Sequence, residues 1–110
     1  MDAKNLYATL KKIQEPKGYY FNSDMDATMP ILESLVRNKE RYGYMACPCR
    51  LANGERKNDK DIICPCVYRE EDVEEYGSCY CTLYVSKGYN ESTIKKQAVP
   101  ERRPLEKIIF

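Results

Sequence analysis

Cys47-Pro48-Cys49, Cys64-Pro65-Cys66 and Cys79-Tyr80-Cys81 are three Cys-x-Cys pairs in one short central stretch, and they contain all six cysteines of the chain. There is no histidine. Any metal site here must be thiolate-rich, and six sulfurs are two more than one tetrahedral ion or one four-iron cluster takes. Four ligands with two thiols left over suits a metal cluster beside a redox-active dithiol. In an extended Cys-x-Cys, successive side chains point to opposite sides, so one sulfur can face a cluster while its neighbour faces away. Two pairs split in that manner, and one pair ligating with both sulfurs, give four ligands and two spare thiols.

Outside the cysteines, the means of holding a fold together are thin. The 110 residues make one domain, 1–110. Val, Ile, Leu and Phe together number 21, just under a fifth of the chain, where packed cores become hard to build. The net charge of +1 argues against the self-repulsion of disordered chains. A lean core with balanced charge calls for another staple, and the cysteines are the obvious one.

The 18 basic residues are interleaved with 17 acidic ones, which reads as a solvated mixed surface with no electrostatic footprint for nucleic acid. No run approaches the ~18 apolar residues of a membrane span, and Met1-Asp2-Ala3-Lys4-Asn5 lacks the apolar region of a signal peptide. The expectation is a cytoplasmic protein without membrane or nucleic-acid partners. In that reducing compartment, clustered cysteines bind metal or do chemistry more often than they form structural disulfides.

Leu6, Leu10 and Ile13, with Tyr7 alongside, keep helical spacing and predict an amphipathic helix over about residues 3–15, stopped by Pro16-Lys17-Gly18. Tyr19-Tyr20-Phe21 is too brief to be more than an extended connector. Asn22, Ser23 and Asp24 offer N-caps for a second helix, with Ile31, Leu32, Leu35 and Val36 as its buried stripe. That helix runs to about Arg41 before Gly43. Pro30 leaves two starts open: Thr28, with the proline in the first turn, or Ser23, with a kink.

From Tyr42 to Val85 the chain reads as loops and short helical turns. Asn53-Gly54 is a turn, Asp59 to Asp61 is polar, and Glu70 to Tyr76 is a helical segment ended at Gly77. Thr82 to Val85 is strand-like or a short helix end. The tail after Gly88 is expected to be irregular and partly mobile.

Other uses of six cysteines fit less well. Disulfide frameworks belong to exported chains, and a bridge within Cys-Pro-Cys would close a tiny ring that proline stiffens. Zinc sites usually space paired ligands two to four residues apart, so a single intervening residue is uncommon, and two thiols would have no task. An iron–sulfur cluster tolerates more varied spacing because its irons present separated corners.

The residues resemble a known family on more than the cysteines. The likeness takes in Phe21-Asn22-Ser23-Asp24, the run Asn38-Lys39-Glu40-Arg41-Tyr42-Gly43-Tyr44, and Cys47-Pro48-Cys49-Arg50-Leu51. It continues through Tyr76-Gly77-Ser78-Cys79-Tyr80-Cys81 with Leu83-Tyr84-Val85, and extends to Val99-Pro100-Glu101. In these the chain resembles the catalytic (beta) subunit of ferredoxin:thioredoxin reductase and its archaeal-type relatives, the ferredoxin:disulfide reductases.

The resemblance implies a mainly α, loop-rich single domain, flattened, with short helices wrapped around one [4Fe–4S] cluster. It implies that Cys47, Cys64, Cys66 and Cys79 bind the cluster and that Cys49 and Cys81 form the active-site disulfide. Cys49 is then the exposed nucleophile and Cys81 the cluster-facing sulfur. The implied activity passes electrons from reduced ferredoxin through the cluster and the disulfide to thioredoxin or a thioredoxin-like protein. A ferredoxin near −400 mV and a thioredoxin near −270 mV provide roughly 6 kcal/mol for two electrons. Plant and cyanobacterial relatives pair with a small variable subunit, which is a possible further partner.

Two departures from the plant-type pattern stand out. The loops between the pairs differ in length, a change that costs little. Tyr80 stands where the plant-type family has histidine, and a tyrosine with reference pKa near 10 does not titrate near neutrality unless strongly perturbed. The proton donor is then open, and Tyr80 reads equally well as packing.

Arg50 is either an activator of the Cys49 thiolate or a surface residue. Tyr42, Tyr44, Tyr68, Tyr76 and Tyr84 are expected to shield the cluster while their hydroxyls reach solvent. The rival to the enzyme is a non-catalytic cysteine-rich zinc or iron–sulfur module that binds a protein partner.

Overall fold

The computed structural model describes residues 2–108, and about half of them are helical. Helix α1 spans Ala3–Gln14, with Asp2 capping it by accepting from the Asn5 amide at 2.8 Å. Leu6, Leu10 and Gln14 recur every four residues on its buried face. A short 3-10 turn, Glu15–Lys17, ends at Gly18 and delivers the chain to strand β1, Tyr20–Phe21.

Helix α2 spans Met25–Tyr42, capped by Asp24 and closed at Gly43. It starts between the two starts that the sequence left open and runs through Pro30. Only one intrahelical bond is lost there, the one a non-proline amide would have given to the Asp26 carbonyl. Leu32 and Leu35 are fully buried, against Leu6, Leu10, Phe21, Ile62, Leu83 and Tyr84.

The connector at Tyr20–Phe21 does more than the sequence suggested. It pairs antiparallel with β2, Tyr84–Val85, in the register Tyr20 to Val85 and Phe21 to Tyr84. The rings of Tyr7, Phe21 and Tyr84 stack in series at 4.9 and 5.2 Å, each contact worth about 1 kcal/mol beyond area burial. Asn22 N–H donates to the Leu83 carbonyl, and the Asn90 side chain bridges Phe21 and Ser23. The N-terminal helices are thereby fixed to the segment that follows the third cysteine pair.

Between these pieces lie the short helices α3, Arg56–Asp59, and α4, Arg69–Tyr76, followed by α5, Lys87–Asn90, and α6, Leu105–Ile108. Asp59 is fully buried and organises its loop, accepting from Tyr44 Oη at 2.5 Å and from the Asn53 and Gly54 amides. The tail, expected to be partly mobile, is pinned by charge: Glu101 meets Arg50, Arg102 meets Glu71, Asp72 and Glu75, and Arg103 meets Asp61. The described residues measure 39 × 32 × 23 Å, thin in one direction. No helix among them is long and apolar enough to cross a membrane.

Candidate iron–sulfur and dithiol site

Backbone pairing brings the three cysteine pairs together. An antiparallel bridge joins Ala46 to Ile63, with Cys47 N–H donating to the Ile62 carbonyl and Cys64 N–H to the Met45 carbonyl, both at 2.8 Å. This sets the first pair beside the second. The third pair sits in a tight turn, where Cys79 N–H bonds the Tyr84 carbonyl and Thr82 N–H returns to the Cys79 carbonyl. A second bridge, Ser78 to Val85, continues the two-stranded sheet into that turn.

Cys47, Cys64, Cys66, Cys79 and Cys81 line one small cavity of about 20 Å³. Ile31, Pro48, Leu83 and Tyr84 give it an apolar wall, and Arg50 and Arg69 are its cations. Cys49 does not line it and is the exposed cysteine of the six, whereas Cys47, Cys79 and Cys81 are buried and Cys64 and Cys66 half-buried. All six are thiols. Cys47 Sγ and Cys81 Sγ are 2.8 Å apart. The inner member of the pair read as a disulfide, Cys81, is thus in contact with Cys47.

Burial sets the acidity of the lining thiols. It pushes Cys64 well above the ordinary thiol value, with the nearby Cys79, Cys47 and Cys66 adding to it. It raises Cys66, and it raises Cys79 to about 11. Cys81 is raised by its sulfur contacts with Cys47 and Cys49 and then by burial. Cys49 goes the other way, to about 4, because Cys47 and Cys81 donate to its thiolate, with Arg50 a lesser influence. The group thus contains one thiol that ionises readily, and it is the one that faces solvent.

Arg50 is not a surface residue. Its side chain is 1% exposed, and Nη1 points at Cys66 Sγ, 3.4 Å away, and toward Cys47 Sγ at 3.9 Å. Burial opposes its charge, but Glu101 and the sulfurs of Cys66 and Cys47 more than offset that and raise its pKa. Arg50 does help to lower Cys49, as the sequence suggested, but its direct contacts are with Cys66 and Cys47. Tyr80 packs its ring on the Arg50 guanidinium at 4.6 Å, the packing reading of that residue.

The expectation that tyrosine hydroxyls reach solvent fails at three positions. Tyr44 and Tyr68 donate to Asp59 and Asp61, and both are pushed up to about 12 by burial and those carboxylates. The Tyr84 hydroxyl is buried and has no partner among the described residues.

The donor set fits a polynuclear cluster. Soft sulfurs stand around the walls of one apolar cavity, the donor chemistry that an iron–sulfur cluster takes. Two of the cysteine sulfurs accept hydrogen bonds, Cys66 from Arg50 at 3.4 Å and Cys79 from the Tyr84 amide at 3.3 Å. The buried thiols, raised as thiols, need a cation before they can be thiolates.

The family model described as "Ferredoxin thioredoxin reductase catalytic beta chain" matches residues 2–107. The chain is 33% identical over 93 residues to the catalytic chain of ferredoxin-thioredoxin reductase from Porphyra purpurea, covering 83% of this chain and 75% of the relative. It is 36% identical over 69 residues to the catalytic chain from a Synechocystis strain, and 36% identical over 70 residues to that from Cyanidium caldarium. Those two matches span 61% and 60% of this chain, and only 55% and 58% of the relatives' own lengths. The chain belongs to the ferredoxin thioredoxin reductase catalytic beta chain family, whose members are disulfide-reducing oxidoreductases that hold a [4Fe–4S] cluster.

Proposed function

We propose that this chain reduces a protein disulfide, on thioredoxin or a thioredoxin-like protein, with electrons from reduced ferredoxin. The observation that carries the reading is the placement of Cys49: exposed to a partner, and two residues from the buried Cys47, whose sulfur meets the cavity-lining Cys81 at 2.8 Å. Cys47, Cys64, Cys66 and Cys79 are the residues that would hold the [4Fe–4S] cluster. When bound, the cluster supplies a one-electron store beside a dithiol whose chemistry takes two electrons.

The chain's own residues then do the following. Cys49, as thiolate, attacks one sulfur of the target disulfide, forming a mixed disulfide and releasing the target's other sulfur as a thiolate that takes a proton. Cys81 gives up its proton and attacks Cys49 Sγ. The mixed bond breaks, the target leaves as a dithiol, and Cys49–Cys81 is left oxidised. Two electrons and two protons pass to the target, and two reduced ferredoxins with two protons restore the dithiol. The apolar wall of Ile31, Leu83 and Tyr84 keeps water from the inner sulfurs. The 23 Å thickness keeps any path between opposite faces short. A small variable subunit is a further partner on the family's pattern, and a reducing cytoplasm suits cysteines that bind metal and do chemistry.

The test is a reconstituted assay with reduced ferredoxin and an oxidised thioredoxin, scored for new thiols, alongside iron and sulfide analysis. The expected result is iron and sulfide in equal amounts and thiol release that depends on Cys49. Activity surviving Cys49→Ser would refute the assignment. Loaded protein with no dithiol chemistry would instead make the chain a non-catalytic module.

A further inference from the structure

Arg50 divides its nitrogens between two tasks. Nε and Nη2 bind the Glu101 carboxylate, with Nε at 3.0 and 2.9 Å from its two oxygens and Nη2 at 2.8 Å from Oε1. Nη1 is left for Cys66 Sγ at 3.4 Å. The guanidinium plane is held as well, with the Tyr80 ring centroid at 4.6 Å and that of Tyr68 at 5.1 Å. Both supports are anchored in turn. Glu101 Oε1 takes the Arg103 amide at 2.9 Å, and Tyr68 Oη donates to Asp61 at 2.6 Å. An arginine fork bound on one edge by a carboxylate has only one direction left for its remaining nitrogen. That direction is the sulfur.

We infer that Glu101 is a positioning residue for the cysteine cavity: it orients Arg50 so that one guanidinium nitrogen donates to the Cys66 sulfur. The inference deepens the reading above and rests on Cys66 being a cluster ligand. An N–H···S bond from a cation favours the more electron-rich state of a cluster, so its loss makes reduction harder. Glu101 by itself has the opposite effect, since a carboxylate near a site that gains an electron disfavours the gain. The two roles therefore differ in sign.

The experiment is a double-mutant cycle on the loaded protein, reading the midpoint potential of the cluster in wild type, Arg50→Gln, Glu101→Ala and the double variant. Arg50→Gln is expected to move the potential in the negative direction, Glu101→Ala to move it the same way, and the double variant to lie at or positive of Arg50→Gln alone, never further negative. A positive shift in Glu101→Ala, full additivity, or an unmoved potential in Arg50→Gln overturns the inference. If Glu101→Ala is purified without iron, Glu101→Asp replaces it, keeping the charge but drawing the carboxylate back by one methylene; the expected and overturning outcomes are the same. Wild-type protein without iron and sulfide fails the cluster reading and this inference together. A loaded wild type whose potential ignores Arg50 fails this inference alone.

Discussion

Arg103 donates to Asp61 through Nε at 2.9 Å and Nη2 at 3.3 Å, across 42 residues of sequence, with side chains 1% and 9% exposed. Its remaining donors reach the Leu51 and Asn58 carbonyls. One side chain from the tail therefore closes the whole loop between the first and second cysteine pairs. Truncating one partner of such a pair leaves a buried charge without a counter-ion, so Arg103→Ala is expected to cost about 3 kcal/mol. Urea unfolding at pH 7 measures it, and a loss under ~1 kcal/mol would show that the loop holds without the pair.

The same carboxylates make the fold acid-sensitive. Burial pushes Asp61 up, but Tyr68 and Arg103 overcome it and hold the group below its ordinary value. Burial likewise opposes Glu101, and Arg50 with the Arg103 amide wins. Both therefore bind protons less readily folded than unfolded, and stability rises with pH where they titrate. The contribution is complete above the unfolded carboxylate values near 4 and is lost as pH falls through the lower folded values. Unfolding followed from pH 6 down to pH 2 should show this loss, and Asp61→Asn should flatten the slope.

Gly77 closes α4 at φ +78° immediately before the third cysteine pair. A Cβ there would sit 2.2 Å from Ile94 Cδ1, the end of a side chain that is 40% exposed and can move aside. The backbone cost cannot move aside. Gly77→Ala is expected to destabilise by about 1–2 kcal/mol. A variant as stable as wild type in chemical denaturation would contradict the argument.

Exposure separates Cys49 from the other five thiols, so a mild alkylating reagent should mark Cys49 first. Peptide mapping after brief treatment reads this directly. Cys49→Ser should keep its iron and lose disulfide reduction, whereas Cys64→Ser should lose iron. Reversal of those two outcomes would reassign the sulfurs.

Tyr80 contributes a ring face to Arg50 and its hydroxyl makes no hydrogen bond among the described residues. Tyr80→Phe is expected to keep turnover within about twofold, while Tyr80→Ala weakens the hold on Arg50 by about 1 kcal/mol of cation–π contact. A large rate loss in Tyr80→Phe, strongest at low proton concentration, would show instead that the hydroxyl carries protons.

Local signals reached the helices well. The Leu6–Leu10 spacing and the stop at Pro16-Lys17-Gly18 bound α1 within a residue, and Gly43 and Gly77 end α2 and α4 where glycine was read as a stop. The start of α2 stayed open because Pro30 fits a late first turn as well as an interrupted helix; in the structure Asp24 caps it and the helix runs through the proline. The cysteines announced a sulfur-rich site by count alone. The groups around them did not announce themselves. Asp59 and Asp61 looked like a polar loop, and Glu101 and Arg103 like part of a loose tail, because charges that pair across more than forty residues leave no periodic trace. Arg50 was visible as a neighbour of Cys49, yet one residue along a turn aims a side chain elsewhere, and its target is Cys66.

The clasp formed by Glu101 and Arg103 has a consequence for biogenesis. These residues leave the ribosome after every cysteine has done so, which means that the cavity cannot take its finished form while translation is still passing through residue 100. Nascent chains arrested before Glu101 should therefore expose sulfurs that released chains protect, and iron delivery should favour the latter.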